Sequence, residues 1–314
     1  VKDLRPLRIQ DLPFVYRMVG QGASFDTQLR LTVGDDALHQ ALLTGRGRIQ
    51  PYILRLQGGE SGLGVLHLPG RDAGGHHARL AYMAPSLGNG ASEDLWLQML
   101  DGLVSIAGKQ GFVNLIAEVD VGEPALEILR QANFATYARQ EIWMRPAAPL
   151  AEGESRHAIR PALAVDEPAI MGVYSSLVPA LLKHVEPPPT TADEIFVMDG
   201  DDGLRGVLTL YKGVHASLIE MHLLPQAHDR ARAALGTALN IVHADSYPVF
   251  CRVRASAAPV EKALDDLGFD FMTPQTVLIR HMAVRINRAS LKKVPAIESG
   301  MPMPTPIVGL GKRS

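Results

Sequence analysis

The chain has 314 residues, 46% hydrophobic and 20% charged, with a formal net charge of −2. That length suits two domains at about 100–200 residues each; the apolar share excludes bulk disorder; the near-neutral charge excludes a global pull toward nucleic acid or an anionic membrane. A single cysteine, Cys251, excludes an intrachain disulfide and any cysteine-rich metal site.

In chain order, "PLRI" predicts a short strand and "DLPFVYRMV" a helix with Asp11 as its N-cap. "DDALHQALLTG" predicts a second helix closed by Gly45. "YILRLQ", "LGVLHL" and "HARLAYMA" alternate as strands between glycine-rich turns. "SEDLWLQMLDGLVSIAGKQ" predicts a long helix capped by Ser92, with Trp96 and Met99 on its core face. "FVNLIAEV" is an apolar strand of the buried kind, and a short helix and the strand "FATYARQEIWMR" follow. The stretch 147–156 has no period and reads as a linker. The order then repeats: strand "HAIRPA", helix "DEPAIMGVYSSLVPALLKH" broken or kinked at Pro179, strands "EIFVMD", "LRGVLTLY" and "ASLIEMHLL", helix "DRARAALGTALNIVHAD", strand "PVFCRVRA" with Cys251 as a buried thiol, a short helix and "QTVLIRHMAVRI". Residues 287–314 read as an extended proline-spaced tail.

Two segments match closely, "EPALEILRQANFATY" and "APVEKALDDLGFDFM". Pro124, Leu129 and Phe134 face Pro259, Leu264 and Phe269 at one constant offset, so the chain is a duplication of one α/β unit. The two segments, the strand endings "AYMAP" and "MHLLP", and the element order resemble the Gcn5-related N-acetyltransferases, the GNAT fold. The resemblance covers nearly all of residues 1–286 and implies two tandem GNAT-like α/β domains, 1–146 and 157–286, each a mixed sheet with helices on both faces. It also implies acetyl-CoA as co-substrate, lying where the fourth strand of a domain splays from the fifth, with its pyrophosphate on the next helix's N-terminus.

On that reading the first half offers Tyr82, Met83 and Ala84 at the strand end and Gly88, Asn89, Gly90 and Ala91 in the loop after it. Glycines there admit close backbone approach. The loop departs from the family pattern, because Pro85 stands where the family has Arg or Gln and Glu93 and Asp94 follow in the first helical turn. The second half has Gln226 at that place but Asp229 where the glycine belongs; Asp229 is expected to cap the helix itself, and Arg230 and Arg232 offer side-chain contacts to phosphate instead. Glu220 and His222 alternate on one strand and share a face; the resemblance, in which this strand often carries a catalytic glutamate, implies Glu220 as the best general-base candidate in the chain. The tyrosine that often serves the family as acid is replaced by Leu129 and Leu264, leaving Tyr137 as a substitute. Adjacent His76 and His77 lack the i, i+4 spacing of a helical metal pair, and no metal is expected. "GRGR", Gly45 to Arg48, reads as an exposed basic turn.

The resemblance therefore implies an acyl-CoA-dependent N-acyltransferase, acetylating a primary amine of a small molecule or peptide by direct attack on the thioester. The competing reading is a catalytically degenerate GNAT-fold binding or assembly protein. The expected setting is the cytoplasm, with no nucleic-acid or membrane partner, as a monomer or a homodimer.

Overall fold

A computed structural model of the chain describes residues 4–34, 48–68, 77–150, 158–179, 183, 188–189, 192, 194–254 and 259–282. The expected helix over "DDALHQALLTG", most of the "GRGR" turn, His76, most of the linker and the tail lie outside them.

The first half comprises β1 (Arg5–Pro6), α1 (Leu12–Met18), β2 (Ala23–Ser24), α2 (Thr27–Thr32), β3 (Ile49–Arg55), β4 (Ser61–His67), β5 (His77–Ala84), α3 (Glu93–Lys109), β6 (Asn114–Asp120), α4 (Ala125–Gln131) and β7 (Ala135–Arg145). The second comprises β8 (Arg160–Pro161), α5 (Glu167–Leu177), β9 (Glu194–Gly200), β10 (Gly203–Lys212), β11 (Ser217–Leu223), α6 (Ala231–Ile241), β12 (Val249–Arg254), α7 (Pro259–Asp266) and β13 (Asp270–His281).

Local chemistry is duplicated along with the topology. Both halves open with Arg-Pro followed by an aspartate six residues after the arginine. Arg5 holds Asp11 through two bonds of 2.6 and 2.7 Å, and Arg160 holds Asp166 through two of 2.7 and 3.1 Å. Asp11 does not cap α1 as expected: its carboxylate turns back to accept from the Arg8 amide, closing a 3-10 turn over Ile9–Asp11. Asp166 does the same with the Leu163 amide. The matched helix–turn–Phe segments share one geometry. Asn133 and Gly268 adopt left-handed φ of 61° and 78°, and the Phe134 and Phe269 amides reach back to the Leu129 and Leu264 carbonyls, both at 3.0 Å. Asparagine and glycine are the residues that take this conformation at a helix end with little strain.

All the described strands join one sheet, in the order β1-β3-β4-β5-β6-β13-β7-β12-β11-β10-β9-β8, with β2 on β5. Read from either end, the parallel and antiparallel steps come in the same sequence: the β5–β6 and β12–β11 steps are parallel and the rest antiparallel. The last strands are exchanged. β13, from the second half, lies between β6 and β7, while β7 pairs with β12. The β13–β7 register runs from Asp270 opposite Met144 to Ile279 opposite Ala135, with Gln275 facing Gln140 at its middle. The Gln140 side chain donates to the Gln275 Oε1 at 2.8 Å, on the axis that relates the halves.

The cores are exchanged to match. Leu278 of β13 is buried with Trp96, Met99, Leu115, Leu129 and Phe134 of the first half. Trp143 of β7 is buried with Ile219, Leu235, Cys251, Leu264 and Phe269 of the second. Helix α2 crosses over as well: Leu31 packs with Ile142, Tyr211 and Leu218, and the Thr32 carbonyl accepts from the His215 amide.

Candidate functional site

In the first half, β5 and β6 are parallel partners only from His77/Asn114 to Arg79/Ile116 and then part. The chain fills the resulting gap itself. β2 pairs with β5, Ala23 opposite Met83 and Ser24 opposite Tyr82. The Phe25 amide donates to the Ala81 carbonyl, and the Phe25 carbonyl accepts from the Glu118 amide on β6, each at 2.9 Å. A three-residue stretch thereby uses main-chain groups of both parted strands. Gly22 makes the approach sterically feasible: a Cβ there would stand 2.3 Å from Tyr82 Cζ and 2.4 Å from the Met83 carbonyl oxygen. The Tyr82 hydroxyl accepts from the Gly22 amide at 2.8 Å and donates to the Met18 carbonyl at 3.0 Å. Tyr82, Met83 and Ala84 are all buried.

The loop behind β5 is likewise engaged. Gly90 has φ of 88°. The Asn89 and Ala91 amides both donate to the Ser86 carbonyl, the Gly90 amide to the Leu87 carbonyl, and the Asn89 side chain to the Gln21 carbonyl; a Cβ at Gly88 would meet Ser86 Oγ at 4.0 Å, an ordinary contact. Ser92 caps α3, its Oγ accepting from the Leu95 amide. Glu60, from the turn between β3 and β4, completes the helix start: its carboxylate accepts from the Ser92 amide at 2.8 Å and the Ser92 hydroxyl at 2.6 Å. A helix N-terminus attracts one anion readily, and here a side-chain carboxylate already holds that place. Glu60 has no sequence signature, because it lies 32 residues before its partner.

In the second half, β11 and β12 pair in parallel from Ser217/Val249 to Glu220/Arg252. Past that point no further β11–β12 pair forms among the described residues. A 3-10 turn, Pro225–Arg230, runs straight into α6 with no side-chain cap. The expected capping by Asp229 is absent; Asp229 is exposed within the turn, as is Gln226. Arg230 donates to the Asp199 carbonyl at 2.8 Å, and Arg232 is exposed.

Glu220 stands where β11 and β12 part, in an ion pair with Arg252. Arg252 also reaches Glu118 Oε1 at 2.9 Å, and Arg79 approaches the same oxygen at 3.1 Å. Asp26 lies 3.9 Å from Arg79 and 2.7 Å from His67 Nδ1. The succession Asp26, Arg79, Glu118, Arg252, Glu220 is a row of alternating charge running from the first half's gap to the second's, with His67 hydrogen-bonded to Asp26 at its end. The Thr27 amide adds a bond to the other Glu118 oxygen at 2.9 Å. Burial alone would raise the Glu118 and Asp26 pKa values, but Arg79 and Arg252 at Glu118, and Arg79 with His67 at Asp26, outweigh it and hold both below the usual carboxylate range. Arg79 is raised despite its burial, by Glu118 and Asp26 first. Tyr137 and Tyr211 lie within electrostatic reach of Arg79, so the structure draws Tyr137 and Glu220 into the neighbourhood of one polar cluster. His222 is half-buried on β11, opposite Val207 of β10.

Among the described residues no group of His, Cys, Asp and Glu side chains has metal-site geometry; His77 is hydrogen-bonded to the Asn114 side chain at 2.9 Å. No described helix is long and apolar enough to cross a membrane.

No family model matches the sequence, and no curated protein matches it. Solved structures do. A GCN5-related N-acetyltransferase from Sphaerobacter thermophilus is 14% identical with a TM-score of 0.54, over 88% of this chain and 95% of that one. A candidate acetyltransferase from Pyrococcus horikoshii is 9% identical with a TM-score of 0.52, over 90% and 89%. A tandem GNAT protein from the clavulanic acid biosynthesis pathway is 15% identical with a TM-score of 0.46, over 89% and 98%. The first two likenesses establish the architecture: this chain has the GNAT fold, present as two halves joined in one sheet.

Proposed function

We propose that this GNAT-fold chain is an acyl-CoA-dependent N-acyltransferase whose transfer site is in the second half. The observation that carries the reading is Glu220, clamped by Arg252 at the point where β11 and β12 separate. The first half supports it by contrast. Its own gap is occupied by β2, and its helix start by Glu60. For acyl-CoA to lie against Tyr82, Met83 and Ala84, β2 would have to leave its place on β5.

In this mechanism the thioester lies beside β11, whose main-chain amides polarise its carbonyl. A neutral primary amine attacks the carbonyl carbon, the C–N bond forms and the C–S bond breaks. Glu220 takes the proton from the attacking nitrogen. The departing thiolate takes a proton from His222, Tyr137 or solvent. Arg252 and Glu118 hold Glu220 in one orientation, so the first half contributes to a site in the second. Arg230 and Arg232, at the start of α6, supply positive charge for the pyrophosphate.

The deciding experiment is calorimetric titration with acetyl-CoA, followed by an amine screen. The reading expects one equivalent bound, at least about tenfold weaker after Arg232→Glu and unchanged after Asn89→Ala. It expects Glu220→Gln to retain binding and lose turnover by about a hundredfold or more. The second reading, a non-catalytic binding or assembly protein on the same fold, is favoured by the self-filled first half. Absence of acetyl-CoA binding up to about millimolar concentration would select it.

A further inference from the structure

With β2 lodged between β5 and β6, a cavity of about 410 Å³ remains at that end of the first half. Its charged lining is two carboxylates and one guanidinium, Asp120, Glu123 and Arg30; Ser24, Ser86 and Tyr82 add polar wall. The volume falls in the range of small-molecule sites, about 300–1,000 Å³. Every lining residue comes from the first half, and Glu220, Arg252 and α6 take no part.

The charges are incompletely matched by the protein. Arg30 Nη1 lies 3.5 Å from Asp120 Oδ2, a loose ion pair. Arg30 Nη2 is buried with no hydrogen-bond partner among the described residues. A guanidinium carries five donors in a fixed plane, suited to a carboxylate, and a buried donor without an acceptor is costly. Asp120 is held in place by Gln275, whose side chain donates to Oδ1 at 2.7 Å. Glu123 is exposed at the rim. The wall thus carries one net negative charge, as two carboxylates around one cation.

We propose that this cavity is a second ligand site, selective for a basic α-amino acid or a molecule with the same charge pattern. Such a ligand carries one carboxylate and two cationic groups, the complement of this lining. Its carboxylate engages the accessible part of Arg30, whose side chain is 32% exposed on the cavity wall. Its cationic groups engage Asp120 and Glu123. The site is independent of acyl-CoA, because the parted strands beside it are already joined by β2.

The test is calorimetric titration of the full chain with L-lysine in the absence of acetyl-CoA. Saturable binding is expected, at least about tenfold weaker for cadaverine, which lacks the carboxylate, and for L-norleucine, which lacks the second amine. Glu123→Gln, at an exposed position, and Arg30→Met should each weaken L-lysine at least about tenfold with unchanged circular dichroism. Acetyl-CoA should not displace it. No binding at about 10 mM, equal binding by both variants, or displacement by acetyl-CoA would overturn the proposal. Because acetyl-CoA is absent from the first titration, failure of the acyltransferase reading leaves this result untouched.

Discussion

Glu118 receives one arginine from each half on a single oxygen, Arg79 at 3.1 Å and Arg252 at 2.9 Å. Replacing it by Gln would leave Arg79 and Arg252 facing each other with no carboxylate between them, each keeping only its outer partner, Asp26 or Glu220. Loss of one partner of a buried pair costs about 3–5 kcal/mol, so Glu118→Gln should lower stability by about that amount, read from the urea midpoint. Acid acts on the same group. Arg160 pulls Asp166 down to about 2, Arg5 lowers Asp11, Arg79 with His67 holds Asp26 low against its burial, and Arg79 with Arg252 does the same for Glu118. Each folded-state pKa lies below its unfolded value, so the folded chain binds fewer protons. This stabilisation is complete above about pH 4–5 and disappears as pH falls through the folded values. A urea midpoint that stays constant down to about pH 2.5 would contradict it. Cys251 behaves oppositely: burial pushes its thiol up to about 12, so a thiolate-directed reagent at neutral pH should label it only on unfolding. The candidate site was partly legible in the sequence. Alternation on one strand brought out Glu220 and His222. Glu118 and Arg252 stood 134 residues apart, and no local spacing encodes a bond between side chains of non-adjacent strands.

The elements were more legible than their partners. Periodicity located the long helix at α3, and the repeated helix–turn–Phe segment marked α4 and α7, because those signals are local. Segment β2 was invisible, being two residues long with no alternation to read. Its role follows from contacts with strands far along the chain. That role can be tested through Gly22. Any side chain there meets Tyr82 and the Met83 carbonyl well inside contact distance. Overpacking of this kind costs about 1–3 kcal/mol, and Gly22→Val should relieve it by lifting β2 off β5. The expected readout is faster hydrogen exchange at the Phe25 amide, now bonded to Ala81, with the β10–β11 amides unchanged. An unaltered Phe25 rate would show that β5 yields instead.

At the scale of the whole chain, the offset of 135 between Pro124 and Pro259 reappears as geometry. The same offset separates Gln140 from Gln275, which meet on the axis, and Trp143 from Leu278, each buried in the other half's core. The sequence carried the duplication but not the exchange, since a strand's own pattern is satisfied equally by either sheet. The exchange implies cooperativity: residues 1–146 and 157–286 made separately should each fold poorly, and should regain a native circular dichroism spectrum on mixing. Two independently folded, non-associating fragments would contradict this. β13 also sets the timing of biosynthesis. On a ribosome adding about 5–20 residues per second, β6 and β7 emerge on the order of ten seconds before the strand that lies between them. During that interval the first half presents two strands with unpaired edges, β6 and β7, and a core lacking Leu278, which is when a chaperone has something to hold.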